Sequence, residues 1–211
     1  MLFRSNNPDW GVGVRREKDI YEKYVACHNI SLKSFEKHLV GPAEYVFITG
    51  EFDTIHQALH KNFLDIYEIW KREHPCNILY TDPDTVAISP VNPWKQYNKF
   101  MMFNYSDPRC FYKPNNYNFK FPSFFNAGVR YFPSTMLHAT WDIGLELVKN
   151  WDFNSYDTEQ LILNQMLWSQ NIHLKDALIP DMNFQAPWMD YDEMWRQNLW
   201  NGFCIEQAKI I

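Results

Sequence analysis

Short apolar runs alternate along this chain with stripes of apolar residues spaced three and four apart, and this alternation constrains the fold most. The run 24–28, YVACH, is followed by Ser31, a good helix N-cap, and by a stripe of Leu32, Phe35 and Leu39. The run 45–48, YVFI, ends at Thr49 and Gly50, after which Ile55, Leu59, Phe63, Ile66 and Trp70 recur at the spacing of an amphipathic helix. A third apolar run, NILY, occupies 77–80. Three strand–helix alternations in this order predict an α/β fold, a mostly parallel, Rossmann-like sheet flanked by helices.

The segment 92–123 is rich in Pro, Asn and Tyr and poor in periodicity; only 100–103, FMMF, reads there as a strand. A strand reading returns over 124–132. Pro133 and Ser134 then open a helix with Leu137, Trp141, Leu145 and Val148 on one face, and Asp157 caps another. Neither an internal repeat nor a separating linker is visible, and 211 residues suit one well-buried core. The expectation is a single domain over 1–211.

Charge and composition narrow the function classes. A net charge of −5 lacks the broad positive field that nucleic-acid binding needs, so no nucleic-acid partner is expected, and the local cluster Arg15, Arg16, Lys18 reads as a solvated turn. Cys27, Cys76, Cys110 and Cys204 are scattered, without C-x-x-C or metal-finger spacing. They read as reduced thiols, although an even count leaves disulfides open. The first residues, MLFRSNNPDWGVG, hold no apolar signal core, and no stretch approaches the ~20 apolar residues of a membrane span. The expected setting is cytoplasmic, with no membrane span. An aromatic share of 18% is compatible with stacking on sugars and bases, and equally with filling a core.

The chemistry centres on 77–86, NILYTDPDTV. An apolar strand delivers Asp82 and Asp84 at its carboxyl end. In an extended chain residues two apart face the same side, so both acids can meet one ligand, and Pro83 biases Asp82 toward extended backbone. Two hard oxygen ligands there suit Mg²⁺ or Mn²⁺ bridging a diphosphate. The same string fits a second chemistry, a haloacid-dehalogenase-like phosphohydrolase with Asp82 as nucleophile. That family places the motif on its first strand and needs a later paired-acid strand end, which this chain lacks. A carbohydrate-binding module without catalysis is a third reading; it would use the aromatics but not the paired acids.

A second constellation is 124–132, FFNAGVRYF, in which Asn126, Ala127 and Gly128 form a small, polar step inside an aromatic strand. Gly interrupts a strand where something approaches the backbone closely, and an Asn amide offers donor and acceptor to hydroxyls. A bulge with a satisfied Asn accounts for the same pattern. A third is 156–164, YDTEQLILN, where Asp157 with Gln160 makes a capping box. His56 and His60, four apart, lack the Glu of H-E-x-x-H and a third ligand, and zinc is not expected there.

Together, the strand ending in TDPDT and the later FFNAGV resemble the GT-A class of nucleotide-sugar-dependent glycosyltransferases, most closely the retaining branch that includes glycogenin and bacterial galactosyltransferases. The wider run from YVACHNISLKSF onward resembles the small glycosyltransferase domain encoded by chlorella viruses. The resemblance implies a metal-dependent hexosyltransferase. It would move glucose, or a deoxyhexose such as rhamnose, from a UDP-sugar to a glycan or glycoprotein acceptor with retention, in host cytoplasm and in viral capsid glycosylation.

By the same resemblance, Asp82 and Asp84 hold Mn²⁺ or Mg²⁺, with Asp82 also reaching the ribose. Asn126, Ala127 and Gly128 border the donor sugar. His28 and Asn29, in a loop after the first strand, grip uridine, while a capping histidine is the plain alternative for His28. Lys61 approaches the sugar and phosphates, or is a surface lysine. Glu159 and Gln160 support the anomeric centre, and Asn164 touches the donor sugar. Relatives take a further metal ligand, a His, just after a late strand. The final run 203–211, FCIEQAKII, reads as the approach to it, which implies a domain cut from a longer polypeptide.

Overall fold

The computed structural model describes residues 2–4, 18–46, 49–51, 55–70, 76–83, 85–102, 125–136, 138–150, 158–169 and 209–210. In chain order the elements are β1 (Leu2–Arg4), α1 (Lys18–His38), β2 (Thr49–Glu51), α2 (Ile55–Trp70) and β3 (Ile78–Thr81). They continue with α3 (Pro93–Gln96), β4 (Met101–Met102), β5 (Val129–Phe132), α4 (His138–Asn150) and α5 (Thr158–Ser169). The α/β class holds. The mostly parallel sheet does not appear among the described residues: β5 lies between β3 and β4 and runs antiparallel to both, and the parallel strand pair is β1 with β2. Apolar periodicity reports which residues are buried, not which way a neighbouring strand runs, because both ladders satisfy the same backbone groups.

The first strand–helix unit is also corrected. Residues 24–28 lie inside α1, a single 21-residue helix, so His28 and Asn29 are not in a loop after a strand and Ser31 is no N-cap. His28 is half-buried and Ser31, Leu32, Phe35 and Leu39 continue its inward face at steps of three and four, whereas Asn29 and Ile30 are exposed. Of the short apolar run, Val25 and His28 are half-buried while Ala26 and Cys27 are exposed, and Ser31 is buried further along the inward face. Ser34 ties this helix to the chain beyond β3: its hydroxyl donates to Ser31 O at 2.6 Å and accepts from Ala87 N at 3.0 Å. Val40 N–H donates to Val91 O, and Val91 N–H to His38 O, both at 2.9 Å. Of the second expected strand, 45–48, residues 45 and 46 are irregular and exposed, and the strand there is β2.

The central strand β5 is buried along its whole length, on both faces. Phe132 stacks on Trp141 of α4 and on Phe100, with ring centroids 4.9 Å apart in each pair. Trp70 of α2 donates from its indole to Pro133 O at 3.1 Å, and α4 packs against both α2 and α5. Gly144 is where α4 meets Met166 of α5: a Cβ there would fall 3.0 Å from Met166 Cε and 3.3 Å from its Cγ. The packed helices bring side chains of α2 and α5 to the polar residues at and before β5.

Candidate functional site

The strand β3 ends at Thr81, and the chain then closes into a turn. Thr85 donates to Asp82 O from its amide at 3.2 Å and from its hydroxyl at 2.7 Å. Pro83 stands at the second turn position, where its fixed φ is favoured. The regular strand pairing of β3 thus gives way to a turn bond at Asp82. Asp82 is half-buried; Asp84 lies outside the described residues. Among the described residues no group of three His, Cys, Asp or Glu gathers around a point. Close by, Ile88 N–H donates to Lys209 O at 2.8 Å and Ala87 pairs with Ile210, so the last residues run beside the chain that follows the acidic turn.

The step 125–128 leads into β5, and besides a β-bridge at Phe125 its backbone is bonded by side chains. Asn164 of α5, wholly buried, accepts from Phe125 N at 2.8 Å and donates to Phe125 O at 2.8 Å, doing for one residue what a neighbouring strand would do. Its amide also donates to Gln160 O at 2.8 Å. Gln160 Oε1 accepts from Ala127 N at 2.9 Å, and Ala127 O accepts from Arg130 Nε at 2.8 Å. Asn126 Oδ1 takes the Gly128 amide at 2.7 Å, the local turn bond that Asn favours. Gly128 O accepts from Asp82 N at 2.8 Å, which extends the β3–β5 ladder by one bond. The small polar step is therefore clamped between the acidic turn and the first turns of α5.

Glu159, in the first turn of α5, is joined to the same place. Its Oε1 accepts from Arg130 Nη1 at 2.7 Å and from Asn62 Nδ2 of α2 at 2.8 Å. Among the described residues both bonds fall on Oε1. The side chain keeps a fifth of its surface exposed, against 1% for Arg130. Arg130 stands opposite Tyr80 in the antiparallel register, and its guanidinium carbon lies 3.8 Å from the centre of the Tyr80 ring. Burial works against the charge of Arg130, but Glu159, then Tyr80 and Asp82, outweigh it and raise its pKa. Burial drives the Tyr80 phenol far above its ordinary range, with Arg130 pulling the other way, so the phenol stays protonated.

Of the residues expected from sequence, Asp82, Asn126, Ala127, Gly128, Glu159, Gln160 and Asn164 meet here. Asn164 is buried with its amide engaged by main chain, so it shapes the step rather than lining its surface. Gln160 reaches Ala127, 33 residues away; its expected capping partner Asp157 lies outside the described residues. Lys61 is exposed and pairs with Asp65 one turn on, at 2.6 Å. His28 sits on α1, where burial lowers its pKa. Cys27 and Cys76 are free and exposed, and among the described residues no helix is long and apolar enough to cross a membrane.

Three members were not foreseen. Arg130 was legible as a charge inside an otherwise apolar strand, which demands a buried partner. Tyr80 reads as one more core aromatic. Asn62 carries no sequence signal beside the more conspicuous Lys61. Neither a protein-family model nor a curated protein matches the chain, so its function rests on this arrangement of residues.

Proposed function

We propose that the chain is a metal-dependent glycosyltransferase of GT-A fold that moves a hexose or deoxyhexose from a UDP-sugar to a glycan acceptor, with retention. The observation that supports this most is the direct bonding of three separate segments into one site. Asp82 is joined to Gly128, Ala127 to Gln160 and to Arg130, and Arg130 to Glu159.

Asp82, half-buried at a strand end, and Asp84 form the donor set for Mn²⁺ or Mg²⁺. Carboxylate oxygens suit such hard ions, so these two side chains would hold the metal beside the donor diphosphate. When bound, the ion supplies Lewis-acid stabilisation of the leaving diphosphate. The remaining work falls to the chain. In this reading the step 126–128 presents backbone to the donor sugar, which small residues at Ala127 and Gly128 allow. Loss of the diphosphate leaves positive charge on the anomeric carbon, and the partly exposed carboxylate of Glu159 is the group available to support it. Gln160 holds the backbone of Ala127 and so keeps the sugar-facing step in register with Glu159.

The test is calorimetry of UDP with the full chain, with and without Mn²⁺, followed by turnover of UDP-sugars. We expect metal to tighten UDP binding by an order of magnitude or more, and Asp82→Ala or Asp84→Ala to abolish the difference. Equal affinity with and without metal, joined to phosphate release from simple phosphomonoesters, would favour the phosphohydrolase chemistry of Asp82 instead.

A further inference from the structure

Asn62 occupies a position where an apolar residue would be expected. It lies on α2 with no exposed surface, one residue from the buried Phe63, on a helix face that packs against α4. Its Nδ2 reaches Glu159 Oε1 at 2.8 Å, yet its Oδ1 is fully buried and has no hydrogen-bond partner among the described residues. A buried acceptor left unpaired is destabilising, and such atoms are few in folded proteins. Asn62 therefore carries a local cost in its unpaired oxygen, while its side chain bonds the carboxylate at the centre of the site and also meets the Tyr80 hydroxyl.

The geometry around Glu159 shows what the bond accomplishes. Arg130 approaches Oε1 from β5 and Asn62 approaches the same oxygen from α2. Arg130 is itself immobilised by Ala127 O and by the Tyr80 ring. A single donor leaves a carboxylate free to swing about the bonded oxygen. Two donors from different elements restrict that swing, and with it the direction of the second oxygen.

We propose that Asn62 is a positioning residue: with Arg130 it clasps Oε1 of Glu159, so that the opposite oxygen is presented to the reacting sugar. This rests on the donor-sugar reading of the site and adds to it a residue that touches neither sugar nor metal. Lys61, its neighbour in sequence, faces away to Asp65 and takes no part.

The experiment is Asn62→Leu, close in volume and without the unpaired oxygen. The expected result is a melting temperature unchanged or raised, UDP affinity and donor KM within about twofold of wild type, and kcat lowered roughly ten- to a hundredfold. Asn62→Ser, which restores a donor on a shorter side chain, recovers part of kcat. A second readout needs no turnover: hydrogen exchange of the Arg130 Nε–H, slow in the wild type because it is buried against Ala127 O, should quicken by about tenfold in Asn62→Leu as Glu159 loosens. Should Asn62→Leu fold poorly, Asn62→Ala takes its place in both measurements. An unchanged kcat, or a loss of kcat that follows the loss of folded protein, overturns the proposal. A wild type that binds no UDP-sugar sinks the donor reading alone, and the clasp is then judged by exchange, where an unchanged rate overturns it.

Discussion

Arg130 and Glu159 form an ion pair at 2.7 Å in which the cation is 1% exposed and the carboxylate retains a fifth of its surface. Such a pair is poorly described by its attraction alone, because most of its energetics is the desolvation that each charge undergoes. Removing one partner leaves the other uncompensated. Removing both leaves a site that apolar groups can fill. Glu159→Gln or Arg130→Met alone should cost about 3 kcal/mol, the low end for a buried pair given the exposure of Glu159. The double variant should cost clearly less than the sum of the two. Urea unfolding of the four proteins measures this coupling, and additive losses would refute it. The same pairing means that Glu159 variants lose stability and transfer together, so turnover must be compared at a temperature where both proteins are folded.

At Gly144 two effects oppose each other. Alanine is a better helix former than glycine by about 1 kcal/mol. Its Cβ would, however, run into Met166 Sδ, with Cε at 3.0 Å and Cγ at 3.3 Å, in a side chain that is fully buried and cannot swing into solvent. Overpacking of this kind costs about 1–3 kcal/mol, so the contact should win. Gly144→Ala is expected to lower the melting temperature by a few degrees, roughly what 1 kcal/mol does in a chain of this size. Gly144→Val should lower it more. A rise for Gly144→Ala would mean that α4 and α5 separate easily.

Alkaline pH should weaken the fold through its buried phenols. Burial pushes the Tyr131 hydroxyl up to about 12, and Tyr80 is raised as well. A phenol whose pKa is higher folded than unfolded binds its proton more tightly in the native state. Its contribution is therefore complete below the unfolded value near 10 and is lost as pH rises toward the folded value. Stability set by these two groups should be flat to about pH 9 and fall between pH 10 and 12. Tyr131→Phe removes one proton-linked group, so the fall in its urea midpoint over that window should be shallower than in the wild type. Parallel pH profiles for the two proteins would exclude Tyr131 as a contributor.

Much of the scaffold was written in local pattern. The run 77–80 became β3, the stripe through Phe63, Ile66 and Trp70 became α2, and Trp141 and Val148 became the inner face of α4. These follow from the period with which apolar side chains must recur to reach one core, a property each segment carries alone. The same logic misled at 24–28, where a run of apolar residues reads as a strand; in α1 that run wraps around the helix, leaving Ala26 and Cys27 exposed, and the buried stripe continues instead to Phe35 and Leu39. Strand direction was beyond local pattern altogether, since β3 and β5 are separated by about fifty residues that impose no polarity on the pairing.

The polar site divides in the same way. Asp82, the step 126–128, and the pair Glu159 and Gln160 were each visible as chemistry in a short string. What none of those strings contains is the partner of each group. Arg130 needs a carboxylate 29 residues later, and Glu159 draws a second donor from Asn62, 97 residues earlier. Sequence determined which residues could carry charge and where the backbone had to bend. Only the packing of α2, β5 and α5 decided which charges are buried together, because desolvation depends on what surrounds a group in space and not on its neighbours in the chain.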